Sequence, residues 1–131
     1  MYCGFQNKID DGQVILINSL SGHRVPNMMG GKTRFYAATK FAVTALLEGW
    51  RQELREQGKN NIRIGQLSPG VVETEFALVM NDQDQGKAEK LYKSMDCLTA
   101  QDMADSVKFM LSAPIRMQVQ DILVRPTQQR T

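Results

Sequence analysis

Hydrophobic positions along the chain fall into three short runs, at residues 13–18, 62–67 and 119–124, with longer periodic segments between them. The first run is unbroken and is bounded by Gly12 and by a serine-glycine pair. Such a run is typical of a strand that is covered on both faces in a parallel sheet. We therefore expect three strands of a parallel sheet.

One long helix is predicted between residues 34 and 57, where apolar residues recur at spacings of three and four. Gly58 is its predicted end, and residues 23–33 before it are predicted to form a loop. Most of the apolar stripe is expected to pack on the sheet. The stripe comprises Phe35, Ala38, Phe41, Ala42, Ala45, Leu46, Gly49, Trp50 and Leu54.

Two short helices are predicted after the second strand. The first spans residues 74–80 with Thr74 as its N-cap. The second is amphipathic and spans residues 87–95, and the polar residues 81–86 between them are predicted to be a hinge.

A further helix is predicted to open at Thr99, because Thr99 and Asp102 have the spacing of a capping box. It is expected to run to Ser112 and to stop before Pro114. Residues 125–131 after the last strand are predicted to be a tail.

Composition narrows the class of protein. The chain has 131 residues and 42% hydrophobic content, which suits one modest domain or part of a larger one. Its 16 basic and 14 acidic residues leave a net charge of +2, which gives no electrostatic argument for binding nucleic acid or an anionic membrane. No apolar run approaches a membrane span. We expect neither partner.

The two cysteines, Cys3 and Cys97, lie far apart and have no companions that would complete a metal site. Neither a disulfide framework nor a zinc site is predicted. Free thiols fit a reducing compartment, so we expect a cytoplasmic protein without a metal.

Candidate chemistry starts at Tyr36 and Lys40, which are four residues apart near the start of the long helix. Positions i and i+4 share a helix face, so the phenol and the ammonium can point into one site. Lowering the pKa of a tyrosine from about 10 to about 7 takes about 4 kcal/mol. A charge about 4 Å away supplies about 1 kcal/mol in water and about 4 kcal/mol at an effective dielectric constant near 20. An acid-base role therefore requires a half-buried site.

Taken alone, the pair fits a packed phenol beside a solvated lysine better than it fits a catalytic site. The strands on either side change this interpretation. The first strand runs into Asn18-Ser19-Leu20-Ser21-Gly22, a hydroxyl cluster with a glycine turn, and the second ends in Ser68-Pro69-Gly70. Strand-Ser, helix-Tyr-Lys and strand-Pro-Gly, in that order, resemble the short-chain dehydrogenase/reductase family.

The resemblance covers nearly the whole chain from about residue 12. It implies an α/β fold, namely the C-terminal half of a doubly wound, Rossmann-like parallel-sheet domain. Residues 1–131 would then be the catalytic and substrate half of an NAD(P)-binding domain, without its N-terminal cofactor half.

Three residues match the family's catalytic positions: Ser19 the serine, Tyr36 the acid-base residue and Lys40 the lysine. The resemblance implies that Tyr36 protonates the developing alkoxide while a nicotinamide delivers hydride, and that Ser19 holds the carbonyl oxygen. Lys40 would lower the pKa of the phenol and bind the nicotinamide ribose.

The family also implies where cofactor and substrate lie. Residues 74–95 would form a mobile flap over the substrate, with Phe76, Met80, Leu91 and Met95 as its apolar inner surface. Substrate would contact Ser19, Tyr36, Phe76 and Met80. The cofactor would contact Tyr36, Lys40, Pro69, Gly70, Val71, Val72, Glu73 and Thr74.

Residues 18–25, 51–56 and 125–127 are similar to a branch of the family that reduces 3-keto and 17-keto steroids, and some dicarbonyls, with NADP. The resemblance therefore implies NADP as cofactor, with NAD as the alternative. It implies a ketosteroid or another carbonyl compound, or the corresponding hydroxysteroid, as the small-molecule substrate of a carbonyl reductase in steroid metabolism.

The loop at residues 26–33 is longer than in that branch and lies where substrate would pass. Met28 and Met29 would either line the entrance or be exposed. His23 could be a base, but its glycine-bounded position favours a surface residue.

The resemblance places the glycine-rich phosphate turn, the residues that select NADP and a fourth catalytic residue, an asparagine, upstream of Met1. Two hypotheses follow: an oxidoreductase whose activity belongs to a longer product, or a truncated, non-catalytic chain that pairs with a full-length subunit. In the family the long helix pairs with its copy in a homo-oligomer, so Phe41, Ala45 and Trp50 are candidates for an interface or for plain core. A three-stranded sheet with bare edges is expected to aggregate when expressed alone.

Overall fold

The computed structural model describes residues 11–26 and 30–130. Three parallel strands form one sheet in the order β1-β2-β3, with β1 at Gly12–Ile17, β2 at Ile62–Pro69 and β3 at Asp121–Val124. The predicted parallel sheet is confirmed. Relative to the predicted runs, β1 begins one residue earlier, β2 ends two residues later and β3 begins two residues later.

The helices follow the predicted order. A long helix α1 spans Gly30–Glu56, two short helices α2 and α3 span Phe76–Met80 and Gln85–Tyr92, and α4 spans Ala100–Ser112. A short 3-10 turn at Leu20–Gly22 follows β1. None of the helices in the described part of the chain has the length and apolar character needed to cross a membrane.

The central strand β2 lies between β1 and β3 and is the most deeply buried element. Its apolar residues Ile62 and Ile64 form a core cluster with Leu47 and Leu54 of α1. Val14, Leu16 and Trp50 pack against that cluster. Both faces of β2 are covered, so that even its polar residues Gln66 and Ser68 are buried.

Helix α1 begins at Gly30, four residues before its predicted start. Gly30 and Gly31 favour a loop by propensity, but the first N–H groups of a helix have no intrahelical partner in any case, so glycine there forfeits no intrahelical bond. The predicted end is confirmed. Gly58 has a left-handed φ of +71°, and its N–H donates to Arg55 O at 3.0 Å.

The predicted apolar stripe of α1 is largely exposed, so the expectation that most of it packs on the sheet was wrong. Phe35 is 76% and Leu46 51% exposed, whereas Ala37 is fully buried. The helix instead packs through a different face: Leu47 and Leu54 lie in the core cluster with β2, and Thr44 lies against the turn at Leu20–Gly22. The Thr44 hydroxyl donates to Gly22 O at 3.1 Å, and a Cβ at Gly22 would lie 2.8 Å from Lys40 O.

Two predictions about helix capping had different outcomes. Thr74 is not the N-cap of α2: Glu75 holds that position without a side-chain bond, and Thr74 Oγ1 accepts from Phe76 N at 3.3 Å. The capping box of α4 is confirmed, since Asp102 N donates to Thr99 Oγ1 and Thr99 N donates to Asp102 Oδ2.

Candidate active site

A largely apolar cavity of about 430 Å³ lies at the carboxyl ends of β1 and β2, between the first turns of α1 and the flap. This is the end of a parallel α/β sheet at which ligands usually bind. Nearly all predicted site residues line it. They are Ser19, Tyr36 and Lys40, then Pro69, Gly70, Val71, Val72 and Thr74, then Phe76, Met80 and Leu91. Glu73 and Met95 were also predicted but are not among its lining residues.

The three predicted catalytic side chains come together at this cavity. The Ser19 hydroxyl hydrogen-bonds to the Tyr36 phenol, and it also caps the 3-10 turn by accepting from Ser21 N at 3.1 Å. The ammonium of Lys40 lies 5.7 Å from the centroid of the Tyr36 ring and donates to Ile17 O at 3.0 Å. One helix face and one strand end therefore present a phenol, an amine and a hydroxyl to the same space.

The pKa of Tyr36 does not shift in the predicted direction. Burial raises it above the ordinary value, and the hydrogen bond from Ser19 opposes this only in part. Burial also lowers the pKa of Lys40. The expectation that Lys40 makes the phenol more acidic was wrong for this structure, because the ammonium is bonded to a carbonyl and lies beside the ring. The phenol therefore keeps its proton at neutral pH.

The flap contributes to the burial of Tyr36. The ring centroid of Phe76 lies 5.6 Å from that of Tyr36, with the planes inclined by 51°. The start of α2 is fixed by Tyr92 at the end of α3, whose phenol oxygen accepts from Ala77 N at 3.1 Å and donates to Thr74 O at 2.5 Å. Sequence reasoning did not identify Tyr92, because nothing local links it to residues 74–77.

The predicted hinge between α2 and α3 contains two residues in the left-handed region, Asp82 at φ 55° and Gln83 at φ 66°. Asp84 then caps α3 by accepting from Lys87 N at 3.1 Å. The turn is thus built from polar residues that tolerate or cap unusual backbone conformations.

The loop after β2 lines the cavity, and one edge of its backbone is not used in pairing. Leu98 pairs with this loop, since Leu98 N donates to Val71 O at 3.2 Å and Glu73 N donates to Leu98 O at 2.8 Å. In such a pairing the intervening residue, Val72, directs its own N–H and C=O to the opposite side. Within the described residues these two groups have no hydrogen-bond partner. They could hold an amide group.

A sequence model of the short chain dehydrogenase family matches residues 5–85. The chain belongs to this family. It is 52% identical to bovine dehydrogenase/reductase SDR family member 11 over 126 residues, which are 96% of this chain and 48% of that protein. The chain thus spans about half the length of the curated relatives it matches.

Solved structures confirm the predicted α/β, Rossmann-like fold class. The closed form of serine dehydrogenase complexed with NADP+ matches with a TM-score of 0.82 at 30% identity, over 95% of this chain and 48% of that one. A 4-hydroxyisoleucine dehydrogenase complexed with NADH matches with a TM-score of 0.61 at 26% identity, over 94% of this chain and 48% of that one.

The ends of β1 and β2 also carry a polar cluster that sequence reasoning missed. His23 Nε2 is 3.0 Å from both Ser68 Oγ and Asp121 Oδ2. Asp121 also accepts from the Gln66 amide at 2.7 Å and from the Ser68 hydroxyl at 2.8 Å. The expectation that His23 is a surface residue was therefore wrong, because its partners come from β2 and β3, far along the chain.

Other cavity residues were also missed, among them Arg24, Asn81, Met103 and Gln129. The described lining contains no carboxylate, and Nη2 of Arg24 is buried without a hydrogen-bond partner there. Met28, Met29 and Cys3 lie outside the described residues, while Cys97 is a free thiol. The described residues hold no group of three metal-ligating side chains.

Proposed function

We propose that the chain is the catalytic and substrate-binding part of an NADP-dependent oxidoreductase that interconverts ketones and secondary alcohols. The observation that carries the proposal is the hydrogen bond between Ser19 and Tyr36 inside the cavity, with Lys40 on the same helix face. NADP+ in the serine dehydrogenase neighbour supports this cofactor, and NADH in the second neighbour makes NAD the alternative.

In the reducing direction Tyr36 acts as the proton donor. Its raised pKa keeps the phenol protonated at neutral pH, so it can give its proton to the carbonyl oxygen as that oxygen gains negative charge. Ser19 Oγ accepts from Ser21 N, which leaves its single hydroxyl hydrogen to donate to the Tyr36 oxygen or, once substrate is bound, to the substrate oxygen. A bound nicotinamide supplies the hydride to the carbonyl carbon.

The residues present fit the nicotinamide end of such a cofactor. The unpaired N–H and C=O of Val72 match the acceptor and donor of a carboxamide, and Val72 lines the cavity. The Thr74 hydroxyl and the Lys40 ammonium line the same wall and can bind ribose or phosphate oxygens. Lys40 thus has a cofactor-binding role that does not depend on acidifying the phenol.

The substrate that we propose is a ketosteroid or another bulky apolar carbonyl compound. The cavity of about 430 Å³ lies in the usual range for small-molecule pockets. Its wall is lined mainly by apolar groups such as Leu20, Phe76, Met80 and Leu91. Such a wall suits a large hydrophobic body, while Ser19 and Tyr36 provide the polar point at which a keto oxygen can be held.

A fusion tests the proposal. The amino-terminal half of bovine dehydrogenase/reductase SDR family member 11 is joined before this chain, and oxidation of NADPH or NADH is followed with 3-keto steroids, 17-keto steroids and a dicarbonyl. We expect turnover with NADPH, lost in Tyr36→Phe with cofactor binding retained. Phe35→Leu is the matched control, because the neighbouring ring is 76% exposed and should not affect the reaction. Turnover that survives Tyr36→Phe would refute the role of the phenol.

A second candidate is a non-catalytic chain that pairs with a full-length subunit through α1. The observation that favours it is the exposed apolar stripe, in which Phe41 is 42% exposed and Ala45 is exposed as well. Trp50 packs against the core cluster, so it is a less suitable probe of an interface than sequence reasoning implied. Co-purification of a full-length partner that is lost in Phe41→Glu would support pairing, whereas an inactive, strictly monomeric chain would contradict it.

A further inference from the structure

The flap is joined to the sheet by a narrow base. It leaves the sheet after Val72 and returns at Leu98, and these two residues form an isolated parallel bridge. Two backbone bonds hold that bridge, from Glu73 N to Leu98 O at 2.8 Å and from Leu98 N to Val71 O at 3.2 Å. So short a pairing opens easily unless other contacts secure it.

The C-terminal tail contacts both strands of this base. Gln129 Oε1 accepts from Val71 N at 3.0 Å, and Gln128 Oε1 accepts from Asp96 N at 3.1 Å. Two adjacent residues of one turn are therefore hydrogen-bonded to the segment that leaves the sheet, at Val71, and to the segment that returns to it, at Asp96. Since a short turn fixes the spacing of its own side chains, it also limits the displacement of one strand relative to the other.

The C-terminal tail, residues 125–130, is also held against the sheet by its own contacts. Gln129 N donates to Pro126 O at 3.0 Å and closes the turn, and Pro126 is buried. Gly70 N donates to Val124 O at 2.7 Å, which extends the pairing of β2 with β3. A Cβ at Gly70 would lie 2.1 Å from Gln129 Oε1, so the tail rests directly on the Pro-Gly loop.

We infer that Gln128 and Gln129 are positioning residues that clamp the base of the flap and hold the Val72 peptide edge toward the nicotinamide carboxamide. The inference rests on the proposed function for its cofactor part only. By bonding Val71 N, Gln129 occupies the backbone donor next to Val72 and fixes the plane of the preceding peptide. Gln128 holds the returning strand, so that Leu98 stays in register with Val71 and Glu73.

The first test measures the clamp in the full chain by amide hydrogen exchange with NMR detection. Loss of one neutral hydrogen bond corresponds to about a fivefold change in local opening. We expect Gln129→Leu to speed exchange at Val71 and Glu73 about fivefold, with exchange in β2 unchanged. Gln129→Glu should restore slow exchange because it keeps the acceptor oxygen. Gln101→Leu is the matched control, since Gln101 is an exposed glutamine of α4 that bonds to Asp105.

The second test measures positioning, with nicotinamide mononucleotide as the probe. We expect the probe to shift the Val72 and Thr74 amide resonances of the wild-type chain. Gln129→Leu should weaken binding of the probe about fivefold. Its midpoint of thermal unfolding should fall no further than that of the Gln101→Leu control. Unchanged exchange at Val71 would refute the clamp. The positioning role would be refuted if Gln129→Leu speeds amide exchange but leaves binding of the probe unchanged. It would also be refuted if the variant binds the probe more weakly only because its midpoint of thermal unfolding is lower. If the wild-type chain shows no shift at Val72, the cofactor role proposed for that peptide is wrong, and the exchange result decides on the clamp.

Discussion

Gly65, in the middle of β2, allows the closest backbone approach in the described sheet region, and its replacement gives a sharp prediction. A Cβ at Gly65 would lie 2.2 Å from the carbonyl oxygen of Val119 and 2.8 Å from the terminal methyl of Met110. The methionine can rotate away, but the carbonyl belongs to the backbone. Its segment is fixed by the adjacent bond from Gln66 N to Gln120 O at 2.9 Å. In Gly65→Ala the segment that leads into β3 must therefore move.

The expected cost follows from these contacts. Overpacking a well-filled core costs about 1–3 kcal/mol, and a lost backbone hydrogen bond adds about 1 kcal/mol. We expect Gly65→Ala to lower the free energy of unfolding by roughly 2–4 kcal/mol. For a domain of this size that corresponds to a fall in the melting temperature of about 10 °C or more.

Gly49→Ala is the matched control. Gly49 lies in α1, is exposed, and would place its Cβ with no atom within 4 Å. Alanine is favoured over glycine in a helix by about 1 kcal/mol, so this variant should be more stable than the wild-type chain. The same substitution is thus expected to have opposite effects at two sites.

Urea unfolding of the isolated monomer, followed by the fluorescence of Trp50 and by far-UV circular dichroism, provides the assay. Trp50 is the single tryptophan and packs on the core cluster, so its emission reports on the sheet interface of α1. If the chain aggregates, as the bare sheet edges predict, the same order should appear in soluble yield. A neutral Gly65→Ala, or equal shifts for both variants, would refute the close approach of Val119 to β2.

Four further predictions concern the site and its surroundings. Ser19→Ala should raise the pKa of Tyr36 further, because it removes the hydrogen bond that opposes the effect of burial. A spectroscopic titration of the tyrosines measures this shift, and an unchanged titration would contradict the hydrogen bond. The pKa of Tyr36 in the folded state lies above the unfolded value of about 10, so unfolding at high pH releases a proton. The free energy of unfolding should therefore fall as the pH rises past about 10. Tyr36→Phe should make this pH dependence less steep. Asp121→Ala removes the shared acceptor of His23, Gln66 and Ser68 and should destabilise the fold by about 3 kcal/mol in the same urea assay; a change below about 1 kcal/mol would show that the cluster is not cooperative. Phe41→Glu should reduce self-association in analytical ultracentrifugation without loss of helix signal, and an unchanged distribution would exclude this face as an interface.

Local patterns were sufficient to predict most elements and the core of the site. The apolar run of β1, the capping box at Thr99 and the stop at Gly58 all depend on residues within a few positions of one another. Tyr36 and Lys40 share a face because one helical turn separates them. The periodicity of apolar residues does not show, however, which of two possible helix faces packs on the rest of the fold. Helix α1 has the predicted apolar stripe and a second face that carries Ala37, Thr44 and Leu47, and it is the second face that packs on the turn at Leu20–Gly22 and on β2.

Contacts between distant parts of the chain could not be predicted in this way. His23 meets Ser68 and Asp121 only because the sheet places the start of β3 beside the second half of β2, next to the turn that follows β1. Gln129 reaches Val71 because the segment after β3 lies beside the loop after β2.

The same limit explains the protonation state of Tyr36. The sequence indicates that an amine lies one turn along the helix, but the sign of the pKa shift depends on what else binds that amine and on what covers the ring. Here Ile17 O binds the ammonium, and Phe76 lies against the phenol. At neutral pH the buried phenol carries the proton that a carbonyl oxygen needs, and very little phenolate is present to remove a proton from an alcohol. If the proposed activity is correct, this geometry favours ketone reduction over alcohol oxidation at neutral pH, and the oxidation rate should rise more steeply with pH than the reduction rate falls.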